Sequence, residues 1–351
     1  MPKYLSKLNY ADFFYLAIFE NLLKTYIIIN FTFMASKAHI ATVNYKDFVS
    51  DDPGRKSNFI VHLGNSLAEI GFVLVSNHGV TEDLRNELFN ATQKFFALPD
   101  EVKAKYEFPE LAGQRGYIGK FKETAKGFKN PDMKEFYHIG QPAHESIDSD
   151  YTPNIWPKEV PELKKISLRI YQTFEETGRK LLQAVALYLD LSEDFFNEKI
   201  HSGNSILRLL HYFPVDDISK MPPGSVRAAA HEDINLITLL MGGSAEGLQA
   251  KTKAGEWIDV NPLAGQIVVN IGDMLQRLTN GQLVSTSHRV INKNPLLMKK
   301  SRYSMPFFLH PVPSMDLSTL PHAVNLNQPK KFKDMTAGEY LNERLKELGL
   351  K

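Results

Sequence analysis

The sequence predicts a mainly β fold with flanking helices, an α+β arrangement in which a β-sandwich or barrel packs beside an N-terminal helical region. The 351-residue chain is 43% hydrophobic and 23% charged, as expected for a globular protein with a large core. Amphipathic helical patterns precede residue 200, and short β-prone runs broken by Gly, Asn or Pro follow it. No internal repeat or low-complexity linker separates the two regions, so we expect one domain.

The sequence predicts mainly helices in the N-terminal half of the chain. Residues 58–75 have the pattern of a helix that runs into a strand. Residues 81–99 begin with a Thr cap followed by acidic residues, and proline follows the last apolar residues, which is typical of a helix. Residues 100–155 have weak periodicity and indicate loops with short strands. Apolar residues recur at helical spacing from Leu163 to Tyr188 and predict a long amphipathic helix.

Short strands dominate the C-terminal half. Each run is β-prone and ends at a turn residue, at a spacing typical of antiparallel sandwiches and barrels. A closing helix is predicted over residues 341–350. The predicted strands lie in "SILRLLHYFP", "NLITLLMGG", "GLQAKT", "EWIDV", "QIVVNIG", "STSHRVI" and "RYSMPFFLHP".

The charge and the cysteine content exclude several partners and sites. A formal net charge of +1 gives no basis for binding nucleic acid or an anionic membrane surface. The chain has no cysteine, which excludes disulfides and thiolate metal ligands and fits a reducing cytoplasm. We therefore expect a cytoplasmic protein in which any metal ion is held by His, Asp or Glu.

Residues 1–36 form an apolar N-terminal extension of doubtful status, which we exclude from the fold prediction. The stretch 13–33 is apolar and aromatic, but Glu20 and Lys24 interrupt its middle, and a central charge costs about 2.5–3.5 kcal/mol in a membrane. No small-residue cleavage site follows it, which argues against a signal peptide. The alternatives, in order of preference, are an over-called start upstream of Met34 or a loose appendage, a peripheral amphipathic segment, and a membrane span.

A histidine and an aspartate begin the stretch "HEDINLITLL". Because side chains i and i+2 of a strand share a face, His231 and Asp233 would present an imidazole and a carboxylate together, with Glu232 opposite. His288 in "STSHRV" is the third candidate ligand. Two histidines and one carboxylate leave open positions on a metal, as in non-haem Fe(II) oxygenases that bind a co-substrate and O2. The ligand types alone also allow Zn or Mn.

An Arg-x-Ser pair follows the third candidate ligand. Arg302 and Ser304 share a strand face by the same rule, with Tyr303 on the other face. A guanidinium offers a planar fork that suits a carboxylate, and a hydroxyl adds one more hydrogen bond. We therefore expect this pair to hold the far carboxylate of a dicarboxylic co-substrate whose near end chelates the metal.

Together these motifs resemble the isopenicillin N synthase-like branch of the Fe(II)/2-oxoglutarate-dependent dioxygenase superfamily. The similarity covers roughly residues 38–312 and includes "HEDINLITLL", "GQIVVNIGDMLQRLTNGQLVSTSHRVIN" and "SRYSMPFFLHP". In the N-terminal half, "GFVLVSNHGV", "RGYIG" and "DMKEFYHIG" are also similar to that branch. The resemblance implies a distorted double-stranded β-helix, a cupin-like jelly roll, with flanking helices.

The resemblance assigns roles to individual residues. It implies that His231, Asp233 and His288 bind Fe(II), and that Arg302 and Ser304 bind 2-oxoglutarate.

Other residues match segments that surround the site in this branch. Asn270 and Asp273 fall in the family's "NxGD" turn, where they would support the site or the fold rather than react. Arg115 and Tyr117 match the "RGY" segment, which lies near the substrate mouth in this branch. A surface loop with a packing tyrosine is the alternative interpretation of these two residues.

This chain departs from the family at two positions. Many relatives place a tyrosine immediately before the proline of "LRLLHYFP", where its hydroxyl helps to hold the co-substrate, but this chain has Phe213. His211, two residues earlier on the same face, could replace that hydroxyl, while Tyr212 would point away. Leu278 stands where plant members often carry tryptophan. These changes leave the metal site unaffected and make Phe213 a candidate for the substrate pocket.

The resemblance also divides the chain into regions. We predict a non-haem dioxygenase N-terminal region over residues 38–155 and a long supporting helix over residues 156–200. The Fe(II)/2-oxoglutarate oxygenase jelly-roll core would occupy residues 201–315, and a C-terminal segment with a helix would occupy residues 316–351.

The implied activity is that of a non-haem Fe(II)- and 2-oxoglutarate-dependent dioxygenase that hydroxylates or desaturates a small-molecule substrate with O2, releasing succinate and CO2. The carboxylate of Asp233 favours these outcomes over halogenation, because related halogenases lack it. Three alternatives remain open. They are an Fe(II) oxidase of the isopenicillin N synthase or aminocyclopropane carboxylate oxidase kind that needs no 2-oxoglutarate, an ethylene-forming enzyme that fragments 2-oxoglutarate, and a non-enzymatic jelly-roll binding protein.

Overall fold

The structure of the protein, a computed structural model, describes most of the chain beyond its N-terminal extension. The chain from Ile40 onwards forms one compact unit. The apolar extension predicted over residues 1–36 lies outside the described residues. Those described are residues 40–124, 127, 130–142, 151–217, 219, 221–222, 225–242, 247–291 and 295–347.

Twelve strands occur in the part of the chain that the structure describes. They are β1 Thr42–Asn44, β2 Phe72–Ser76, β3 Gly116–Ile118, β4 Glu135–Gly140, β5 Ile206–Tyr212, β6 Ala228–His231, β7 Ile237–Gly242, β8 Leu248–Lys251, β9 Trp257–Asp259, β10 Gln266–Ile271, β11 His288–Val290 and β12 Arg302–Leu309. One sheet has the order β1-β2-β10-β7-β12-β5-β4-β3, and the other has the order β6-β11-β8-β9. Apart from the parallel pair β1 and β2, neighbouring strands are antiparallel. The seven runs predicted after residue 200 form β5 and β7 to β12, so the mainly β prediction is confirmed.

Helices flank the sheets, as predicted. They are α1 Tyr45–Phe48, α2 Pro53–Glu69, α3 Glu82–Phe96, α4 Asp100–Lys103, α5 Glu162–Tyr188, α6 Asn197–Ile200, α7 Asp273–Leu278, α8 Pro295–Met298 and α9 Ala337–Glu347, with 3-10 turns at Ala104–Tyr106, Pro109–Leu111 and Pro321–Ala323. Helix α2 begins earlier than predicted, because Asp52 Oδ1 accepts the Gly54 N–H at 2.8 Å and Pro53 occupies the first helical position. Among the described residues, no helix is both long and apolar enough to cross a bilayer.

The main hydrophobic core lies between α2, α3 and α5 and one face of the eight-stranded sheet. Helix α5 crosses β12, where the ring centres of Tyr171 and Phe307 are 5.0 Å apart. Gly178 permits this close approach, since a Cβ at that position would lie 2.3 Å from Leu309 Cδ1. The helices therefore cover one face of the sheet and leave the other face available for a site.

The stretch "HEDINLITLL" is divided between the two sheets, although its pattern suggested a single strand. Strand β6 ends at His231, and β7 begins at Ile237 in the other sheet. The backbone between them bonds to the start of α7, where the Asp273 N–H donates to the Asp233 carbonyl at 2.7 Å. His231 and Asp233 are therefore brought together by the end of a strand and a turn, rather than by strand alternation.

Candidate active site

Two histidines lie side by side on neighbouring strands of the four-stranded sheet. His231 in β6 is paired with His288 in β11, and their ring centres are 4.5 Å apart. His231 Nδ1 is 2.8 Å from the Ala229 carbonyl oxygen, and His288 Nδ1 is 3.0 Å from that of Thr286. Because each carbonyl can only accept, each Nδ1 carries the proton, and each Nε2 keeps a lone pair for a metal.

The aspartate completes the cluster from the turn after β6. Asp233 Oδ2 accepts hydrogen bonds from Thr238 Oγ1 at 2.6 Å and from Asn270 Nδ2 at 2.8 Å. Its other oxygen, Oδ1, lies 3.9 Å from His231 Nε2 and 3.8 Å from His288 Nε2. One potential ligand atom from each residue lies within 4.8 Å of the other two, so a single ion can contact all three.

The protonation states of these groups suit a cation. Burial and the nearby His288 lower the pKa of His231 to about 4, although Asp233 opposes this change. Burial raises the pKa of Asp233, but the two histidines and the hydrogen bonds from Asn270 and Thr238 outweigh it and lower the pKa below its usual value. At neutral pH the site therefore offers a neutral His231 beside an ionised carboxylate. Two nitrogens and one oxygen without thiolate fit Fe(II).

A buried arginine lies on the face of the eight-stranded sheet opposite the helices. Arg302 in β12 is directly opposite Tyr212 in β5, and Ser304 is opposite Leu210, so these four side chains share a face. The Arg302 guanidinium lies 5.0 Å from the centre of the Tyr212 ring. Arg302, Ser304 and Tyr212 are 6%, 4% and 3% exposed, which places a cation and two hydroxyls together in a dry environment.

A cavity of about 430 Å³ lies beside the metal cluster, with His231 and Asp233 in its wall. Both sheets contribute to it, and so does α9 through Leu341 and Leu345. The volume is suited to a small molecule.

Family models match both halves of the chain. Residues 40–159 match the N-terminal region of non-haem dioxygenases in morphine synthesis, and residues 203–311 match the 2OG-Fe(II) oxygenase superfamily. A 2-oxoglutarate-Fe(II) type oxidoreductase, hxnY of Emericella nidulans, is 31% identical over 85% of this chain and 88% of its own length. The chain belongs to the 2OG-Fe(II) oxygenase superfamily. A proline hydroxylase, buaE of Petromyces alliaceus, is 33% identical over 87% of this chain and 98% of its own.

Solved structures of 2OG-Fe(II) oxygenases share the fold. A family member from Caulobacter crescentus is 38% identical with a TM-score of 0.79, covering 89% of this chain and 99% of its own. A full-length Neurospora crassa protein in complex with alpha-KG is 30% identical with a TM-score of 0.77, covering 87% and 95%. The jelly-roll prediction is confirmed, and so is the prediction of an Fe(II)- and 2-oxoglutarate-dependent oxygenase that uses O2 on a small molecule.

His211 of this oxygenase does not lie where the sequence suggested. It is opposite Tyr303 on the face that packs against the helices, and the two rings stack with centres 4.8 Å apart. Its Nδ1 is 2.7 Å from Glu135 Oε1, and its Nε2 is 2.9 Å from Ser301 Oγ. The expected faces are therefore reversed, because His211 faces the helices and Tyr212, expected to point away, shares the face of Arg302.

The three residues assigned to the substrate pocket also lie elsewhere. Among the described residues that line the cavity, Phe213, Arg115 and Tyr117 do not occur. Phe213 packs against Phe121, with ring centres 5.2 Å apart. Arg115 donates to backbone carbonyls, including that of Thr152 at 3.1 Å, and is 2% exposed. The Tyr117 hydroxyl donates to Oε2 of the buried Glu135. These contacts favour the alternative interpretation, in which both residues of the "RGY" segment pack within the fold.

The "NIGD" turn holds the site in place. Asn270 bonds to Asp233, as described above, and Asp273 Oδ2 accepts a hydrogen bond from the Tyr340 hydroxyl at 2.8 Å. Because Tyr340 belongs to α9, this bond fixes the C-terminal helix beside the cavity that it lines.

Proposed function

We propose that His231, Asp233 and His288 hold Fe(II) through Nε2, Oδ1 and Nε2, respectively. The observation that carries this proposal is the convergence of three ligand atoms within 4.8 Å, while Nδ1 of each histidine and Oδ2 of the aspartate are hydrogen-bonded to other groups. Three ligands on one side of the ion leave positions for 2-oxoglutarate and O2.

Arg302, Ser304 and Tyr212 are the proposed anchor for the far carboxylate of 2-oxoglutarate. A guanidinium binds a carboxylate through two parallel charge-assisted hydrogen bonds, and neighbouring hydroxyls add further bonds. Burial of all three side chains strengthens those bonds, since water does not compete for the carboxylate.

The reaction that this geometry supports best is hydroxylation of a small molecule. When bound, Fe(II) and 2-oxoglutarate supply the oxidising chemistry, in which O2 is consumed, succinate and CO2 are released, and a substrate C–H bond is oxidised. The chain binds and orients both compounds and surrounds the reacting carbon with the walls of the cavity. The similarity to a proline hydroxylase supports hydroxylation over desaturation. The cytoplasmic location and the division into sequence regions remain predictions.

Anaerobic titration of the Fe(II)-loaded protein with 2-oxoglutarate tests these assignments. We expect a metal-to-ligand charge-transfer band in the wild type and its loss in His231→Ala, which should bind little iron. Arg302→Ala should keep the iron but need far more 2-oxoglutarate to develop the band, whereas the surface variant Arg85→Ala should behave like the wild type. An unchanged 2-oxoglutarate requirement in Arg302→Ala would refute the anchor, and absence of the band in the wild type would refute the metal and co-substrate assignment.

A further inference from the structure

One wall of the cavity carries alternating charges that the metal and co-substrate sites do not use. Asp132, Lys134, Glu123 and Arg208 line the cavity together with His231. Lys134 Nζ lies 2.7 Å from Asp132 Oδ2 and 2.5 Å from Glu123 Oε2. Burial raises the pKa of Glu123, but Arg208 and Lys134 outweigh it and hold the pKa well below its usual value. The two anions and two cations therefore balance, so these four side chains together carry no net charge.

His138 and two aromatic rings fix the orientation of Arg208. Arg208 Nε donates to His138 Nε2 at 2.6 Å, while His138 Nδ1 is 2.6 Å from the Gly113 carbonyl oxygen. Because arginine keeps its proton, His138 must accept at Nε2 and donate at Nδ1, as a neutral imidazole does. Burial and the Arg208 charge lower the pKa of His138 well below its usual value. The guanidinium carbon lies 4.2 Å from the centre of the Phe136 ring and 5.1 Å from that of Phe308.

Arg208 and Glu123 retain hydrogen-bonding capacity at the cavity surface. Both contacts between the Arg208 Nη atoms and the Glu123 oxygens measure 3.4 Å, well beyond the roughly 2.7–2.9 Å of a strong charge-assisted bond. The nearer partner of Glu123 is Lys134, on Oε2. Three of the five guanidinium N–H groups of Arg208 have partners among the described residues, so two remain to donate to a ligand. Glu123 Oε1 receives one long contact and can accept a second hydrogen bond.

We propose that Arg208 and Glu123 recognise an amide-type edge of the substrate, a carbonyl oxygen with a neighbouring N–H. The carbonyl accepts from an Nη–H of Arg208, and the N–H donates to Glu123 Oε1. This inference rests on the proposed function, which makes this cavity the substrate site. The substrate class is a small neutral lactam, cyclic ureide or carboxamide. A carboxylate fits poorly, because it would face the ionised Glu123 in a wall whose cations are already balanced. His138 is a positioning residue that acts through Arg208.

Calorimetry of the anaerobic Fe(II)- and 2-oxoglutarate-loaded enzyme tests this recognition. The probes are 2-pyrrolidinone and hydantoin, which carry the amide edge, and cyclopentanecarboxylate, a charged ring of matching size. We expect the wild type to bind both amide probes at least about tenfold more tightly than the carboxylate. Arg208→Lys keeps the charge but loses the fork, and should weaken the amide probes by about tenfold or more.

Glu123→Gln should change the affinities for the two kinds of probe in opposite directions, which loss of a purely structural role of Glu123 would not do. Neutralising Glu123 leaves the wall with excess positive charge, so binding of cyclopentanecarboxylate should strengthen while binding of the amide probes weakens. Arg85→Lys is the matched control. Arg85 also pairs with a carboxylate, Glu82 at 2.9 Å, and lies 5.2 Å from the centre of the Phe89 ring, but it is not among the residues that line the cavity. Its probe affinities should equal those of the wild type.

The charge-transfer band distinguishes failure of this inference from failure of the proposed function. If the band forms but neither amide probe releases heat up to its solubility limit, the inference is wrong and the proposed function stands. Tighter binding of the carboxylate by the wild type, or wild-type affinity for the amide probes in Arg208→Lys with an intact band, would also overturn it. If the wild type forms no band, the proposed function fails and this inference fails with it.

Discussion

Thr238→Val should weaken Fe(II) binding by about 10- to 100-fold, the range for loss of a residue that supports a metal ligand. The Thr238 hydroxyl lies 2.6 Å from Asp233 Oδ2, and Asn270 Nδ2 supplies the second hydrogen bond at 2.8 Å. The substitution removes one of these two bonds and nearly preserves the side-chain volume. A hydrogen bond to a charged group contributes about 1.5–3 kcal/mol, which corresponds to the same range of affinity.

The Fe(II) affinity of Thr238→Val can be measured by anaerobic Fe(II) titration, with the thermal stabilisation caused by the metal as the readout. Thr92→Val is the matched control, because Thr92 is fully buried and its hydroxyl has no hydrogen-bond partner among the described residues. Thr92→Val should therefore keep wild-type iron affinity. Equal affinities in Thr238→Val and the wild type, or an equal loss in both variants, would refute the view that Thr238 orients the Asp233 carboxylate.

Three further predictions concern stability. Gly64→Ala should lower the free energy of unfolding by about 1–3 kcal/mol in a denaturant titration, since its Cβ would lie 2.0 Å from Tyr188 Cδ2; a gain, as in an exposed helix, would contradict this. Lys103→Met should cost about 3–5 kcal/mol in the same assay, because Lys103 is the 2.8 Å partner of the fully buried Glu135, and a loss below about 1 kcal/mol would place the pair with surface ion pairs. Burial raises the pKa of Glu135, but hydrogen bonds from His211 and Lys103 outweigh it and lower the pKa. Ionised Glu135 therefore stabilises the fold above about pH 4.3, and this stabilisation is lost as the pH falls through the depressed pKa. The free energy of unfolding should fall more steeply with acid in the wild type than in Glu135→Gln. Parallel pH profiles of the two proteins would argue against this role of Glu135.

Local pattern was sufficient to predict most of the elements of this fold. The helical spacing from Leu163 to Tyr188 corresponds to α5, and the Thr81 cap begins α3. The β-prone runs after residue 200 all form strands. These features depend on periodicity and capping within about a dozen residues, and such signals persist without tertiary contacts.

Strand register caused the error at the co-substrate site. Strand alternation starting from Phe213 predicts that His211 faces the site, but β5 ends at Tyr212, so the alternation does not extend to Phe213. A shift of one residue exchanges the two faces of a strand. Pairing with Arg302 and Tyr303 in β12 decides that Tyr212 faces the site and that His211 faces the helices.

The sequence by itself determined the candidate metal-binding side chains, a cation for the co-substrate and a β-rich fold with flanking helices, and its resemblance to a known family implied that this fold is that of an oxygenase. These conclusions follow from residue types and their order along the chain. Only the tertiary structure decided that a turn between two sheets brings Asp233 to the histidines, and that Glu123 and Arg208 meet in one cavity wall. The reason is physical, because those contacts depend on how distant segments pair and pack, and no periodicity within a single segment encodes them.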